Sequence, residues 1–375
     1  MVRLRNVLLL TIMYWFAAPA PQAEDAVARL SARISHGESF LEYDDTFGYL
    51  PSILRELSIN VDSQVLVFTK TSMQRDHISP ATPRAIYFND EAAVGYVRGG
   101  DWIELSIVQP QGRLRYYTLE NHKAATPTFQ VEGTRCNGCH AMSGMTVTSS
   151  FPAADGTAFF SGTSDFIDHR TPIENRWGGW YVTGTHGRQK HMGNAVAISP
   201  KDSFHLQTEG TQNLTSLEAR IDTTRYPAPT SDIVALMTLE HQARMTNLII
   251  DASDNTIDKV ADYMLFVGEP ALIDPVKGVS TFTRTFTERG PRDKKGRSLR
   301  DFDLTRRLFR YPLSYMVYSD VFANLKPAVR SKILQRVAQI LTTEVSDPKY
   351  AFLSAEDRRA ILEIAGDTIP DFPGH

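Results

Sequence analysis

Trp102-Ile103-Glu104-Leu105-Ser106-Ile107-Val108-Gln109-Pro110-Gln111-Gly112-Arg113-Leu114-Arg115-Tyr116-Tyr117-Thr118-Leu119 reads as two strands folded back on one another. Trp102 to Val108 and Leu114 to Leu119 are rich in β-branched and aromatic residues, and Gln109-Pro110-Gln111-Gly112 supplies turn chemistry between them. Upstream, Gln64 to Lys70, Ala85 to Phe88 and Ala92 to Val97 repeat the pattern, with Asn89-Asp90 as a second turn. The spacing predicts an antiparallel sheet from Gln64 to Leu119, preceded by helices near Ala26 to Ile34 and Leu50 to Leu57.

Past this sheet, beyond Pro127 and Gly133, lie the two cysteines of the chain, in Cys136-Asn137-Gly138-Cys139-His140. This is the attachment pattern of a c-type haem. Two thiols three apart add to the vinyl groups as thioethers, and the next residue, His140, can ligate the iron on the proximal side. Two cysteines and ten histidines in 375 residues would form this pentapeptide by chance on the order of once in several thousand shuffles. A thioredoxin-like dithiol would need a βαβ setting and gives His140 no role. Structural zinc would need two further ligands at finger-like spacing, and the next histidine is His169. Because the motif leaves a sheet through a loop, the expected fold is α+β: a β-rich N-terminal part carrying the haem loop and a helical C-terminal part. It is not the small helical class I cytochrome c fold.

Residues 1–23 read as a signal peptide, with Arg3 and Arg5 before an apolar stretch from Val7 to Ala18 and small residues through Ala23. Export suits covalent haem attachment and gives a periplasmic expectation, an uncleaved N-terminal anchor being the alternative. With both cysteines in the motif, none is left for a lipid anchor, and no later segment is apolar enough to span a membrane. A net charge of −3 argues for neither a nucleic acid nor an anionic membrane surface as partner. A redox partner protein is the expected one.

Short strands at Trp180 to Thr183 and Ala195 to Ile198 close a β-rich haem-attachment region spanning 24–230. A helical region, 231–375, packs on it. Ser231 or Thr230 is expected to cap a helix from Asp232 to about Ile250, with His241 on its apolar face. Further helices are expected at Thr256 to Val267, Asp303 to Phe309, Ser314 to Leu325, Pro327 to Leu341 and Ala355 to Ala365. Ser354 and Asp357 open the last, and Gly366 stops it.

The sixth iron position separates a carrier from an enzyme. Arg176-Trp177-Gly178-Gly179-Trp180-Tyr181-Val182-Thr183-Gly184-Thr185-His186-Gly187, followed by His191-Met192-Gly193, combines flat aromatics with glycines and ligand-type side chains. It reads as a haem-pocket wall, with Trp177 and Trp180 against the porphyrin and His186, His191 or Met192 toward the metal. Met192 is the first choice for a metal ligand and His241 the rival. A hairpin with core aromatics is the plainer reading of the segment, and a satisfied core histidine the plainer reading of His241. The run Arg289 to Arg300 is either a propionate or partner contact or a solvated loop.

These stretches, with Tyr43-Asp44-Asp45, Pro83-Arg84-Ala85-Ile86-Tyr87-Phe88-Asn89-Asp90, Leu239-Glu240-His241-Gln242 and Gly296-Arg297-Ser298-Leu299-Arg300-Asp301-Phe302-Asp303, resemble a family of uncharacterised exported bacterial proteins known as cytochrome c domain-containing. The resemblance covers most of the mature chain. It implies haem attachment and one large unit, and carries no substrate. The expected function is monohaem electron transfer, with haem c held at Cys136 and Cys139 and by His140. The alternative is a haem c enzyme, peroxidase-like or acting on a small oxide, with an open or displaceable sixth position. Arg176, His186 and His241 are then the candidate catalytic residues.

Overall fold

The hairpin forms with the expected turn: strands β4 (Trp102–Gln109) and β5 (Arg113–Glu120) pair antiparallel from Trp102 opposite Glu120 to Gln109 opposite Arg113. Gly112 closes the turn at a φ of +71°, where a side chain would be strained, and donates its N–H to the Gln109 carbonyl at 2.9 Å. The structure, a computed structural model, describes residues 24–133, 136, 144–159, 165–197, 205–342 and 347–373. The expected signal peptide, Cys139 and His140 of the motif, and Ile198 of the strand expected at 195–198 lie outside the described residues.

The hairpin extends into a seven-stranded antiparallel sheet. Its other strands are β1 (Val65–Val67), β2 (Arg84–Phe88), β3 (Ala92–Val97), β6 (Phe129–Glu132) and a two-residue β9 (Trp180–Tyr181), in the order β6-β5-β4-β3-β2-β1-β9. The strand β6 was not anticipated, because exposed Gln130 and Val131 at a sheet edge hide the alternation. A separate two-stranded ribbon, β7 (Val147–Ser149) with β8 (Asp165–Ile167), follows the haem motif.

Alternation along the strands gives the sheet two apolar faces. Leu66, Tyr87, Ile103, Leu105 and Leu119 pack with Val27 and Leu30 of helix α1 (Ala26–Ser35) and with Ile53 and Leu54 of α2 (Leu50–Glu56). Val65, Val67 and Phe88 face the other way, onto a larger core shared with Val147, Ile167, Trp177, Trp180 and the C-terminal helices. That core runs across position 230 without a break, so the β-rich and helical parts bury a common interior. The fold is α+β, and no described helix is long and apolar enough to cross a membrane.

Helix α3 (Ile233–Ile250) is the axis of this core: every residue except Arg244 and Ile250 is buried. A helix apolar all round is an interior helix. Its cap is Asp232, one residue later than expected, accepting the N–H groups of Val234 and Ala235 with one carboxylate oxygen and those of Val279 and Ser280 with the other. Ser231 is diverted: its hydroxyl donates to the Tyr181 carbonyl and accepts the Leu66 N–H.

Helices α4 (Ile257–Met264), α5 (Phe282–Glu288), α6 (Asp320–Ala323), α7 (Pro327–Thr342) and α8 (Ala355–Thr368) complete the layer. Two expected helices are corrected. Over 303–309 the Asp303 carboxylate takes the N–H groups of Thr305 and Arg306, and Leu304 turns to a φ of +55°, making a tight turn bridged by Phe302 and Phe309. Over 314–325, Ser314 and Ser319 each cap a new start, dividing one helix into a 3-10 turn (Tyr315–Tyr318) and α6. Gly366 does not stop α8, which opens on the expected Ser354–Asp357 capping box and runs to Thr368. Helix α5 was not anticipated.

Because Asp232 serves four backbone donors, Asp232→Ala should cost about 2 kcal/mol or more, a lost cap plus buried N–H groups without acceptors. Urea unfolding checks it; a midpoint matching wild type would show that α3 needs no cap.

Candidate functional site

Edge strand β6 precedes the motif in the chain, and β7 follows it. Both sides are anchored. On the leaving side, Cys136 is half-buried, and the Tyr116 hydroxyl, on β5, is pushed up to about 12 by burial and by the nearby Cys136. On the return side, the Asn247 amide of α3 grips the Met145 backbone, accepting its N–H at 2.9 Å and donating to its carbonyl at 2.6 Å. Gly144, at a φ of +63°, lies so close that a Cβ there would strike the Asn247 side chain.

The segment from Arg176 to Met192 lies against β7, and its glycines serve that contact. A Cβ on Gly178 would collide with the Ser150 carbonyl, and one on Gly179 with Thr69. Ser150 donates its backbone N–H to the Gly178 carbonyl at 2.9 Å, and the Trp180 indole donates to the Thr148 carbonyl at 2.7 Å. Trp177, at a φ of +67°, is fully buried and donates its indole N–H to Glu240 at 3.1 Å.

Arg176 is buried in an ion pair with Glu240. Its remaining donors go to the carbonyls of Thr171 at 2.6 Å and His169 at 2.9 Å. Burial lifts the Glu240 carboxyl to about 7, against the pull of Arg176 and Trp177. His186 spends both ring nitrogens: Nδ1 contacts the Gln189 carbonyl at 2.7 Å, and Nε2 accepts the Asn213 N–H at 3.0 Å. Those partners assign a neutral imidazole with its proton on Nδ1.

His241 is equally committed. Its Nδ1 meets His169 Nδ1 at 2.8 Å, its Nε2 meets the Ser314 hydroxyl at 2.8 Å, and its ring stacks on Phe266. Two facing nitrogens can share one proton and no more, and burial pushes His241 down to about 3 and His169 well below its ordinary range. His191 turns inward beside Trp177 and His186, with Nδ1 unpartnered and the ring pushed down to about 3 by burial.

Met192 differs from all of these. It is half-buried, its N–H donates to the Arg176 carbonyl at 3.0 Å, and its sulfur accepts one hydrogen bond, from the Ser149 hydroxyl at 3.6 Å. The structure therefore places Trp180 and Met192 against the strand that follows the motif, and sets Trp177, His186 and His241 into the core with protein partners. The basic run is solvent-exposed over most of 291–296, but its charges are paired: Arg300 is buried on Asp90 beside Tyr315, Arg297 pairs with Asp293 and Glu363, Lys295 with Glu363, Lys294 with Asp367, and Arg292 with Asp301.

Sequence reasoning passed over Ser149 and Asn247, which carry no motif, and the Glu240–Arg176 pair, whose members are 64 residues apart. The residues present suit a covalent porphyrin. They offer a half-buried thiol and a soft thioether, and β6 before the motif and β8, the partner of β7, carry exposed apolar side chains, Val131 and Phe166, at 63% and 66% exposure. No family model, curated protein or solved structure matches the chain.

His241, held down to about 3 from an ordinary 6.5, contributes stability that is present above about pH 6.5 and lost as the pH falls toward 3, because the unfolded chain takes up the proton first. His241→Gln should therefore be less stable than wild type at about pH 7.5, the gap closing by about 1.4 kcal/mol per pH unit below about 6.5. Paired urea titrations across that range test it; a gap constant with pH would mean that His241 is not held neutral.

Proposed function

We propose that this chain is an exported, periplasmic monohaem c-type cytochrome acting in electron transfer. Cys136 and Cys139 would hold the haem covalently, and His140 and Met192 would ligate its iron. Bound there, haem c supplies a one-electron couple at its iron. The chain's own part is to hold that couple: β6 and the Asn247 grip on Met145 fix the two ends of the attachment loop, and the Arg176 carbonyl fixes the Met192 backbone.

One observation carries the choice between carrier and enzyme. Arg176, His186 and His241, the residues a distal acid–base role would use, are each saturated by buried protein partners. His191 keeps Nδ1 unpartnered but is buried, whereas Met192 is half-buried with one hydrogen bond to its sulfur. A thioether partner favours electron transfer over chemistry at an open iron. A redox partner protein follows from that role.

The protein produced with haem-maturation machinery should keep haem through a denaturing gel, and Cys136→Ala with Cys139→Ala should lose it. The ferric form should show the weak near-infrared band of thioether ligation, abolished in Met192→Ala and retained in His241→Ala. A wild-type chain that never stains for haem ends the cytochrome reading. A high-spin spectrum with rapid carbon monoxide binding and peroxide turnover would move the assignment to the enzyme.

A further inference from the structure

Resting on the ligand reading above, we infer that Ser149 is a positioning residue for Met192: its hydroxyl orients the thioether and raises the potential of the bound iron. Ser149 ends β7 with its side chain on the inward face, beside Val147 and away from Thr148, and is 3% exposed. Its oxygen accepts the Gly178 N–H at 2.9 Å. The hydroxyl proton then needs an acceptor that solvent does not supply, and it goes to Met192 Sδ at 3.6 Å.

The neighbouring Ser150 does not share this task, since its hydroxyl turns to the Gly178 carbonyl at 3.3 Å. The Gly178 N–H thus fixes the Ser149 oxygen, and that oxygen points its proton at the sulfur.

A methionine has three rotatable bonds and adapts to whatever surrounds it, a poor property in a ligand. Here it is held at both ends, by the Arg176 carbonyl on its N–H and by Ser149 on its sulfur. The sulfur carries two lone pairs, and Ser149 occupies one. The other is left to bond a metal. A hydrogen bond to the sulfur withdraws electron density, so the thioether donates less to an oxidised iron, which needs donation more than a reduced one does. The couple moves toward the reduced form. Such outer-shell partners set both the orientation and the donor strength of a ligand.

The test uses the full haem-loaded chain with Ser149→Thr and Ser149→Val, two side chains of one shape that differ in the hydroxyl, and Ser149→Ala as a third variant. Ser149→Thr should keep the near-infrared band and potential of wild type. Ser149→Val and Ser149→Ala should both shift to lower potential, with a weakened or displaced band. If the band is present in wild type and lost in Met192→Ala, yet the Thr and Val variants share one potential and one band, the role of Ser149 is overturned and the ligand stands. If wild type has no such band, the ligand and the role of Ser149 fall together. Thermal midpoints of the Thr and Val variants separate lost orientation from lost folding.

Discussion

The ion pair of Arg176 with Glu240 is the constraint on which the interior depends. Taking a guanidinium and a carboxylate out of water costs several kcal/mol per ion before relaxation, and their attraction offsets that only when the remaining donors and acceptors are filled. They are filled here: Arg176 also donates to the Thr171 and His169 carbonyls, and Glu240 also accepts the Trp177 indole. A pair satisfied to this degree has one acceptable geometry. It therefore fixes the turn after β8, the start of the 176–192 segment and the middle of α3 relative to one another. The Met192 backbone, bonded to the Arg176 carbonyl, inherits that position.

The same helix shows how a buried axis is registered without charge. Gln242 donates to the Asn89 carbonyl and accepts the Tyr315 hydroxyl, His241 joins His169 to Ser314, and Asn247 holds Met145. These three side chains reach different neighbouring segments, so a rotation of the helix would break several hydrogen bonds at once. Apolar packing alone would tolerate such a slip. Buried polar groups that are fully satisfied specify a single arrangement, and a half-satisfied set would cost more than an apolar core.

How much of this was legible in the sequence follows the range of the interactions. The β4–β5 hairpin was, because its strands and turn are neighbours in the chain and its alternation is strong. The capping box at Ser354 was legible for the same reason. Ser231 was misread as the cap of α3 because the competing demand on its hydroxyl, from Tyr181 and Leu66, comes from strands far away in sequence. The helix expected at 303–309 failed on local chemistry outweighed by periodicity, since Asp303 turns the chain before a helix can start. The aromatic and glycine content of 176–187 marked that segment as unusual. Its cause could not be seen, because Ser150, Thr69 and Glu240 are the surfaces those residues fit.

The size of the chain takes on a physical meaning on the electron-transfer reading. A thioether is a weak ligand beside an imidazole, and any mobile histidine near the iron would displace it. Burying His169, His186, His191 and His241 would remove those competitors, and two of the four, His186 and His241, have both ring nitrogens bonded within a frame that holds their partners. His186 needs the 189 and 213 loops, and His241 needs the turn after β8 and the 3-10 turn at 315–318. A hundred-residue helical fold has little room for four interior histidines and a buried ion pair. On that reading the seven-stranded sheet and the buried helix would provide that room, and Arg176, which donates to the His169 carbonyl and accepts the Met192 N–H on its own carbonyl, would tie a buried histidine and the soft ligand to one frame.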